Sequence, residues 1–321
     1  MRLSRYATGA ILLFCSTFAA QGAGLQLLDT NSEVSGGIWY PCDGIPAHVD
    51  LGKLALPDAD PVQGVKDCPI AKGKHGLVII SHGAGGWFAG HHDTAEALAN
   101  AGFVVIAINH PGDSGYDRSP SEGLTSWVTR PNDIVRALDF MLKDWKDRSV
   151  IDPEKIGFFG FSKGGYTGLV LAGATLDFQR VAATCNNNSR FCEQVRSGDV
   201  PRDLPHEHRI KAAVLADPAH TVAFTAETLK SITIPMQTWR SELGAKERSI
   251  DPNGVSRVLN NIPGKPEAHI VPAGHFAFLP PCSPEFAARK PLFCTDPTGF
   301  DREAFHKRFN ADVVSFFNRS L

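Results

Sequence analysis

The sequence predicts an α/β fold, a mostly parallel central sheet covered by helices on both faces, with a small disulfide-bearing insertion. Three observations carry that expectation. Runs such as GLVIISHG (76–83), FVVIAINHPG (103–112) and KIGFFGF (155–161) are apolar on consecutive residues and close on turn residues. A strand with one wet face would alternate, so these strands are buried on both sides. Segments of helical period stand between them, and strands separated by helices pair in parallel. No repeat, low-complexity stretch or linker divides the chain, so residues 24–321 read as one domain.

Each element follows in order. EVSGGIWYP (33–41) and HVDLGKLALP (48–57) suggest an antiparallel edge hairpin ahead of the parallel strands. After the strand at 76–83, DTAEALANAG (93–102) is a helix with an Asp cap and a closing Gly. Beyond 103–112, Ile134, Leu138, Met141, Leu142 and Trp145 recur at helical spacing within 131–147. A small-residue helix follows KIGFFGF. Three further strands are IKAAVLADP (210–218), IPMQTWRSE (234–242) and EAHIVPAGH (267–275), and a helix from Asp301 closes the chain. Residues 177–209 interrupt the alternation; polar and turn-rich, they form either a cap or a solvated surface loop.

The first 23 residues read as an export signal. Arg2 and Arg5 precede a short apolar core, and small residues at Thr17/Ala19 or Ala20/Gly22 suit a signal peptidase. The mature chain would then carry 30 basic and 34 acidic residues, which does not favour nucleic acid. No other stretch suits a membrane span. An exported, periplasmic or secreted chain meets an oxidising compartment. Six cysteines beyond Cys15 are therefore read as disulfides, with clustering that favours Cys42–Cys68, Cys185–Cys192 and Cys282–Cys294. Metal spacings such as C-x-x-C are absent.

Chemistry concentrates at Gly160-Phe161-Ser162-Lys163-Gly164, a Gly-x-Ser-x-Gly between a strand and a helix. Glycines clear space for a sharp turn that exposes one hydroxyl at the sheet edge. A serine hydroxyl needs a base. Of the 12 histidines, His275 alone directly follows a late strand. His306 lies in the last helix, His206 and His208 flank Glu207 in the insertion, and His91 and His92 adjoin a helix start. Asp217 ends the strand after the insertion and is the favoured acid; Glu242 is the alternative, and Asp251 a weaker third. Backbone N–H groups of Lys163 and of Ala84 in SHGAGG (81–86) would hold an oxyanion. Trp87, Phe88, Trp127 and Phe276 are candidates for a pocket wall, and no metal or organic cofactor is called for.

WYP (39–41), SHGAGG (81–86), NHPGDS (109–114), RPNDI (130–134), GFSKGG (160–165) and AGHFAFL (273–279) stand in order along most of the mature chain. In these the chain resembles the α/β-hydrolase superfamily. More narrowly it is similar to secreted proteins grouped as dienelactone-hydrolase-like, themselves similar to platelet-activating-factor acetylhydrolases. The resemblance implies hydrolysis of a small-molecule or lipid carboxylic ester through an acyl-enzyme, and it places the acid at Asp217. Two features depart from that pattern: a true dienelactone hydrolase uses cysteine where Ser162 stands, and residues 177–209 have no counterpart in the small acetylhydrolases. Lipid and polyester hydrolysis, acyl transfer and plain binding on the same fold are the alternatives.

Overall fold

The computed structural model describes residues 21–28, 34–117, 123–246 and 250–321. Its strands are β1 (Gln21–Leu28), β2 (Gly36–Asp43), β3 (Ala47–His48), β4 (Gln63–Lys66), β5 (His75–Ser81), β6 (Val104–Ile108), β7 (Ile151–Phe161), β8 (Ala212–Ala216), β9 (Met236–Ser241) and β10 (Glu267–Val271). They form one sheet in the order β10-β9-β8-β7-β5-β6-β2-β1-β4-β3. All pairs from β10 to β6 are parallel, and β2 joins β6 antiparallel.

The helices are α1 (His92–Asn100), α2 (Thr125–Asp139), α3 (Lys163–Leu171), α4 (Phe178–Ala183), α5 (Arg190–Ser197), α6 (Ala226–Leu229), α7 (Pro252–Asn261), α8 (Pro284–Arg289), α9 (Pro291–Cys294) and α10 (Arg302–Ser320). Alternate residues of a strand face opposite sides, and β5 shows the consequence. Leu77 and Ile79 pack with Ile134 and Leu138 of α2 and Leu169 of α3, whereas Val78 and Ile80 pack with Leu98 of α1 and Phe309 of α10. Both faces are therefore dry, which is why the sequence shows apolar runs rather than alternation. This is the α/β-hydrolase fold.

The parallel register brings the C-terminal ends of β5, β7, β8, β9 and β10 to one edge, with Ser81 opposite Gly160, Phe161 opposite Ala216 and Ser241 opposite Val271. Disulfides join Cys42–Cys68, Cys185–Cys192 and Cys282–Cys294. Closing such loops stabilises a fold by about 2–4 kcal/mol each in the chain-entropy account.

Three sequence expectations are corrected. The partner of β2 is β1, not residues 48–57, which hold only the two-residue β3 and a 3₁₀ turn at Gly52–Leu54. Leu51 and Leu54 are buried there, so apolar spacing came from packing, not from a strand. Asp93 does not cap α1; its carboxylate is held by His306 Nδ1 at 2.6 Å and Asn310 Nδ2 at 2.8 Å on α10. Helix α2 starts at Thr125, ahead of the expected proline, with Pro131 inside it. Pro131 lies in the second turn, so only one carbonyl, that of Trp127, is freed, and Tyr166 Oη donates to it at 3.0 Å. Of the expected signal, Gln21–Ala23 pair with Pro41–Asp43 in the sheet, and residues 1–20 lie outside the described residues.

Candidate active site

Strand β7 ends at Phe161 and α3 begins at Lys163, leaving Ser162 alone at the bend with φ 57° and ψ −114°. An L-residue at that φ is strained, and the surroundings impose it. Ser162 N–H donates to Ala216 O at 2.8 Å, and its carbonyl accepts from Tyr166 N at 3.1 Å and Ala219 N at 2.9 Å. The flanking glycines are obligatory: a Cβ at Gly160 would lie 2.3 Å from Gly164 O, and one at Gly164 would lie 1.9 Å from Ser81 O. Behind them, a Cβ at Gly165 would meet Pro218 Cα at 2.8 Å, so this glycine admits the loop that carries Asp217.

Asp217 follows β8, is fully buried and also has a positive φ of 48°. Three donors converge on its carboxylate. Ser241 N–H reaches Oδ1 at 3.0 Å, Ser241 Oγ reaches Oδ2 at 2.5 Å, and His275 Nδ1 reaches Oδ2 at 2.8 Å. His275 opens a 3₁₀ turn just past β10, and its N–H is fixed by Gly244 O at 2.9 Å. Its ring stacks on Phe161 with centroids 4.5 Å apart. With Nδ1–H committed to the carboxylate, Nε2 remains as the basic nitrogen.

The other acids sit elsewhere. Glu242 lies one residue past the end of β9 and is exposed. Asp251 caps α7, accepting from Asn253 N and Gly254 N. Glu207 is taken by Arg209, whose Nε lies 2.8 Å from Oε1, while the rings of His206 and His208 pack 3.9 Å apart. His91 is buried against Phe159 and Phe161, and burial takes its pKa down to about 3.

Ser162 and His275 line one cavity of about 1140 Å³, together with Ala84 and Lys163. Trp87, Trp127 and Phe276 line it too. Phe88 does not: it is buried against Trp39, with ring centroids 5.9 Å apart. One wall comes from residues 177–209, through Val181 and Thr184 around α4 and Phe191 of α5, which packs on Trp127 at 5.4 Å. Further lining comes from the loop closed by Cys282–Cys294, through Phe286 and Phe293. His220, whose ring centroid lies 4.0 Å from that of Trp127, is held neutral by burial, its pKa down to about 3.

Sequence reasoning missed Ser241 and His220. Nothing local marks them, since each gains its place from a neighbouring strand or helix. It also missed the side-chain partners of Lys163, described below.

The site therefore defines a protein of α/β-hydrolase fold with a serine at the strand–helix bend and a buried histidine–aspartate pair on the same cavity. The family model described as serine aminopeptidase, S33 (Hydrolase_4) matches residues 72–187. That span includes the glycine loop and Ser162 but neither Asp217 nor His275. Lasso peptide isopeptidase AtxE2 of Asticcacaulis excentricus is 31% identical over 101 residues, covering 28% of this chain and 14% of the isopeptidase. The chain thus spans a small part of that relative. A ferulic acid esterase from Streptomyces cinnamoneus superposes with a TM-score of 0.60 at 18% identity, covering 95% of this chain and 91% of the esterase.

Proposed function

We propose that this chain is an exported, serine-dependent carboxylic ester hydrolase working through an acyl-enzyme. The observation that carries the reading is the His275 Nδ1–Asp217 contact of 2.8 Å, buried beside the cavity onto which Ser162 opens. Ser162 Oγ attacks the ester carbonyl carbon as His275 Nε2 takes its proton. Asp217 holds the tautomer and stabilises the imidazolium. The carbonyl oxygen, now negative, is received by the N–H groups of Ala84 and Lys163. Collapse expels the alcohol, which takes the proton from His275; water then repeats the sequence on the acyl group and releases the acid. Each oxyanion donor is worth about 10²–10³ in turnover.

Supporting the ester reading are the matched family, a hydrolase family by name, and the esterase fold neighbour. The finer placement, among dienelactone-hydrolase-like and acetylhydrolase-like secreted esterases, rests on the six motifs named above. The aromatic lining of the cavity, with Trp87, Trp127, Phe191, Phe276, Phe286 and Phe293, favours an ester with bulky apolar groups over a short one. Residues 177–209 act in this reading as a small cap, and three disulfides fit export. One second reading has support of its own. The aminopeptidase model covers the nucleophile region, and an isopeptidase matches 28% of this chain, so amide cleavage by the same serine is the alternative.

The test is turnover of matched aryl esters and anilides, with labelling by a serine-directed phosphonate. Ser162→Ala abolishes both turnover and labelling. Asp217→Asn lowers kcat by about 10⁴, as loss of the correct histidine tautomer does elsewhere, whereas Glu242→Gln leaves it unchanged. Activity that survives Asp217→Asn and vanishes in Glu242→Gln would reverse the assignment, and anilide turnover matching the ester's would favour the second reading.

A further inference from the structure

Two sequence motifs, NHPGDS and RPNDI, play no part in the chemistry above, yet the structure packs them beneath the glycine loop. Arg130 of α2 is fully buried. It donates Nη1–H to His82 O at 2.6 Å, Nη2–H to Gly83 O at 2.9 Å and Nε–H to Asp113 Oδ2 at 2.8 Å. Asp113 Oδ1 accepts from Gly85 N at 3.1 Å, and its Oδ2 also lies 2.7 Å from Lys163 Nζ. Lys163 Nζ donates further to Ser126 Oγ at 2.5 Å. One carboxylate thus joins the guanidinium, the loop backbone and the side chain of the residue after Ser162.

The geometry bears on where N–H groups point. No cis peptide occurs among the described residues, and in a trans peptide the C=O and the following N–H point in opposite directions. By drawing the carbonyls of His82 and Gly83 to its own side, Arg130 turns the N–H groups of Gly83 and Ala84 away from itself. A loop of Gly83, Ala84, Gly85 and Gly86 has little conformational preference of its own. Its aim must come from outside. Gly83 O is further pinned by His82 Nδ1 at 2.7 Å and Gly86 N at 3.1 Å.

We propose that Arg130, Asp113 and Lys163 are positioning residues that preset the oxyanion hole, fixing the Ala84 N–H relative to the Lys163 N–H. The proposal rests on the serine-hydrolase reading and adds three side chains that act through the backbone of the loop and of α3 rather than on the reacting atoms. Asp113 is the hub. Burial pushes its pKa up, but Arg130 and Lys163 outweigh that and bring it down to about 2, so the hub stays charged. The next turn of α2 contributes a parallel brace, Asp133 to His110 Nδ1 at 2.8 Å and His110 Nε2 to Ser81 Oγ at 2.9 Å. That serine–histidine–aspartate set is not a second catalytic site, because Ser81 and His110 are wholly buried.

Asp113→Asn, Lys163→Met and Arg130→Lys test the proposal. Each should lower kcat about 10- to 100-fold with KM within about threefold, less than loss of a whole donor. Affinity for an aryl trifluoromethyl ketone, which forms the tetrahedral oxyanion on Ser162, should fall in parallel. Affinity for the product alcohol should not. Arg130→Lys keeps the charge but cannot hold two carbonyls, so it should not rescue. Deuterium exchange of residues 82–86 should quicken in Asp113→Asn and Lys163→Met while the rest of the sheet keeps its protection. A fall in kcat without a fall in ketone affinity, or unchanged exchange in residues 82–86, overturns the proposal. Lys163→Met removes the least buried member and keeps the test available if Arg130→Lys does not fold. Should the unaltered protein neither cleave esters nor bind the ketone, the hydrolase reading falls, and the exchange measurement still decides whether the network holds the loop.

Discussion

Removing one oxygen from Ser241 would separate orientation from chemistry at this site. Ser241 is buried at the end of β9. Its hydroxyl donates to Asp217 Oδ2 at 2.5 Å and accepts from Gly244 N at 3.1 Å, while its own N–H reaches Asp217 Oδ1 at 3.0 Å. Ser241→Ala keeps the backbone bond and deletes both hydroxyl bonds. A hydrogen bond to a charged group contributes about 1.5–3 kcal/mol, and an N–H left dry costs about 1–3 more. With partial relaxation, the loss should be roughly 2–4 kcal/mol, a fall in Tm of roughly 3–6 °C for a chain of this size. Asp217 keeps two of its three donors, so misorientation of His275 should cost only about 1.4 kcal/mol at the barrier, tenfold in kcat. Calorimetry and steady-state kinetics on a soluble aryl ester read both quantities, with Asp217→Asn alongside. A loss as large as that of Asp217→Asn would place the hydroxyl in the chemistry itself. Unchanged Tm and kcat together would refute the geometry from which the argument starts.

Other outcomes follow from the same structure. Gly164→Ala forces a Cβ to within 1.9 Å of Ser81 O, a backbone atom that cannot step aside. Overpacking of that kind costs about 1–3 kcal/mol or more, and kcat should fall with Tm because Ser81 leads into the glycine loop; Gly90→Ala, with no neighbour nearer than 3.5 Å, is the tolerated comparison. Stability should decline in acid. Burial takes His82, His91 and His220 each down to about 3. A lowered folded pKa gives stability that is present above the unfolded value near 6.5 and lost as pH falls toward 3. By pH 5 each histidine has forfeited about 2 kcal/mol. Asp133, raised by burial to about 7 against Arg136 and Arg130, works oppositely, since its stabilisation is lost as pH rises from about 4 through 7. It offsets about one histidine's share, and calorimetry at pH 7 and pH 5 should show a clear net loss; a flat profile would contradict the buried neutral state of these rings. Finally, if the chain is exported as proposed, N-terminal sequencing of the mature form should find cleavage after Ala19 rather than after Gly22 or Ala23, because either later cut would remove residues that pair with Cys42 and Asp43.

What the sequence made legible is what depends on near neighbours. Apolar runs without alternation announced the two-sided sheet, and Gly160 and Gly164 announced a bend with no room for side chains, which the 2.3 Å and 1.9 Å approaches explain. Cysteine spacing announced three pairings because short loops close most readily. His275 stood out as a strand-end histidine late in the chain. The ambiguity between Asp217 and Glu242 arose because both end strands at the same sheet edge, and a strand's end has two faces. Only the neighbouring strands decide which face meets His275. Residues 48–57 misled for a related reason: Leu51 and Leu54 are apolar because they pack inward, and burial alone does not specify an extended backbone.

The polar network shows why the rest was out of reach, and it also gives the fold a logic. Arg130 and Asp133 lie three apart on α2 and so share one face of the helix. One grips the loop after β5 and the loop after β6 at once, through His82, Gly83 and Asp113; the other grips His110 at the end of β6. In sequence these residues are ordinary surface-type charges on an amphipathic helix, and each is separated from the loop partners just named by 17 to 48 positions. Burying them is unfavourable unless every donor and acceptor is met, so the arrangement holds only when α2, both loops and α3 are all in place. A fold that buries its charges in this way ties the aim of its glycine-rich loop to the completion of the whole sheet edge.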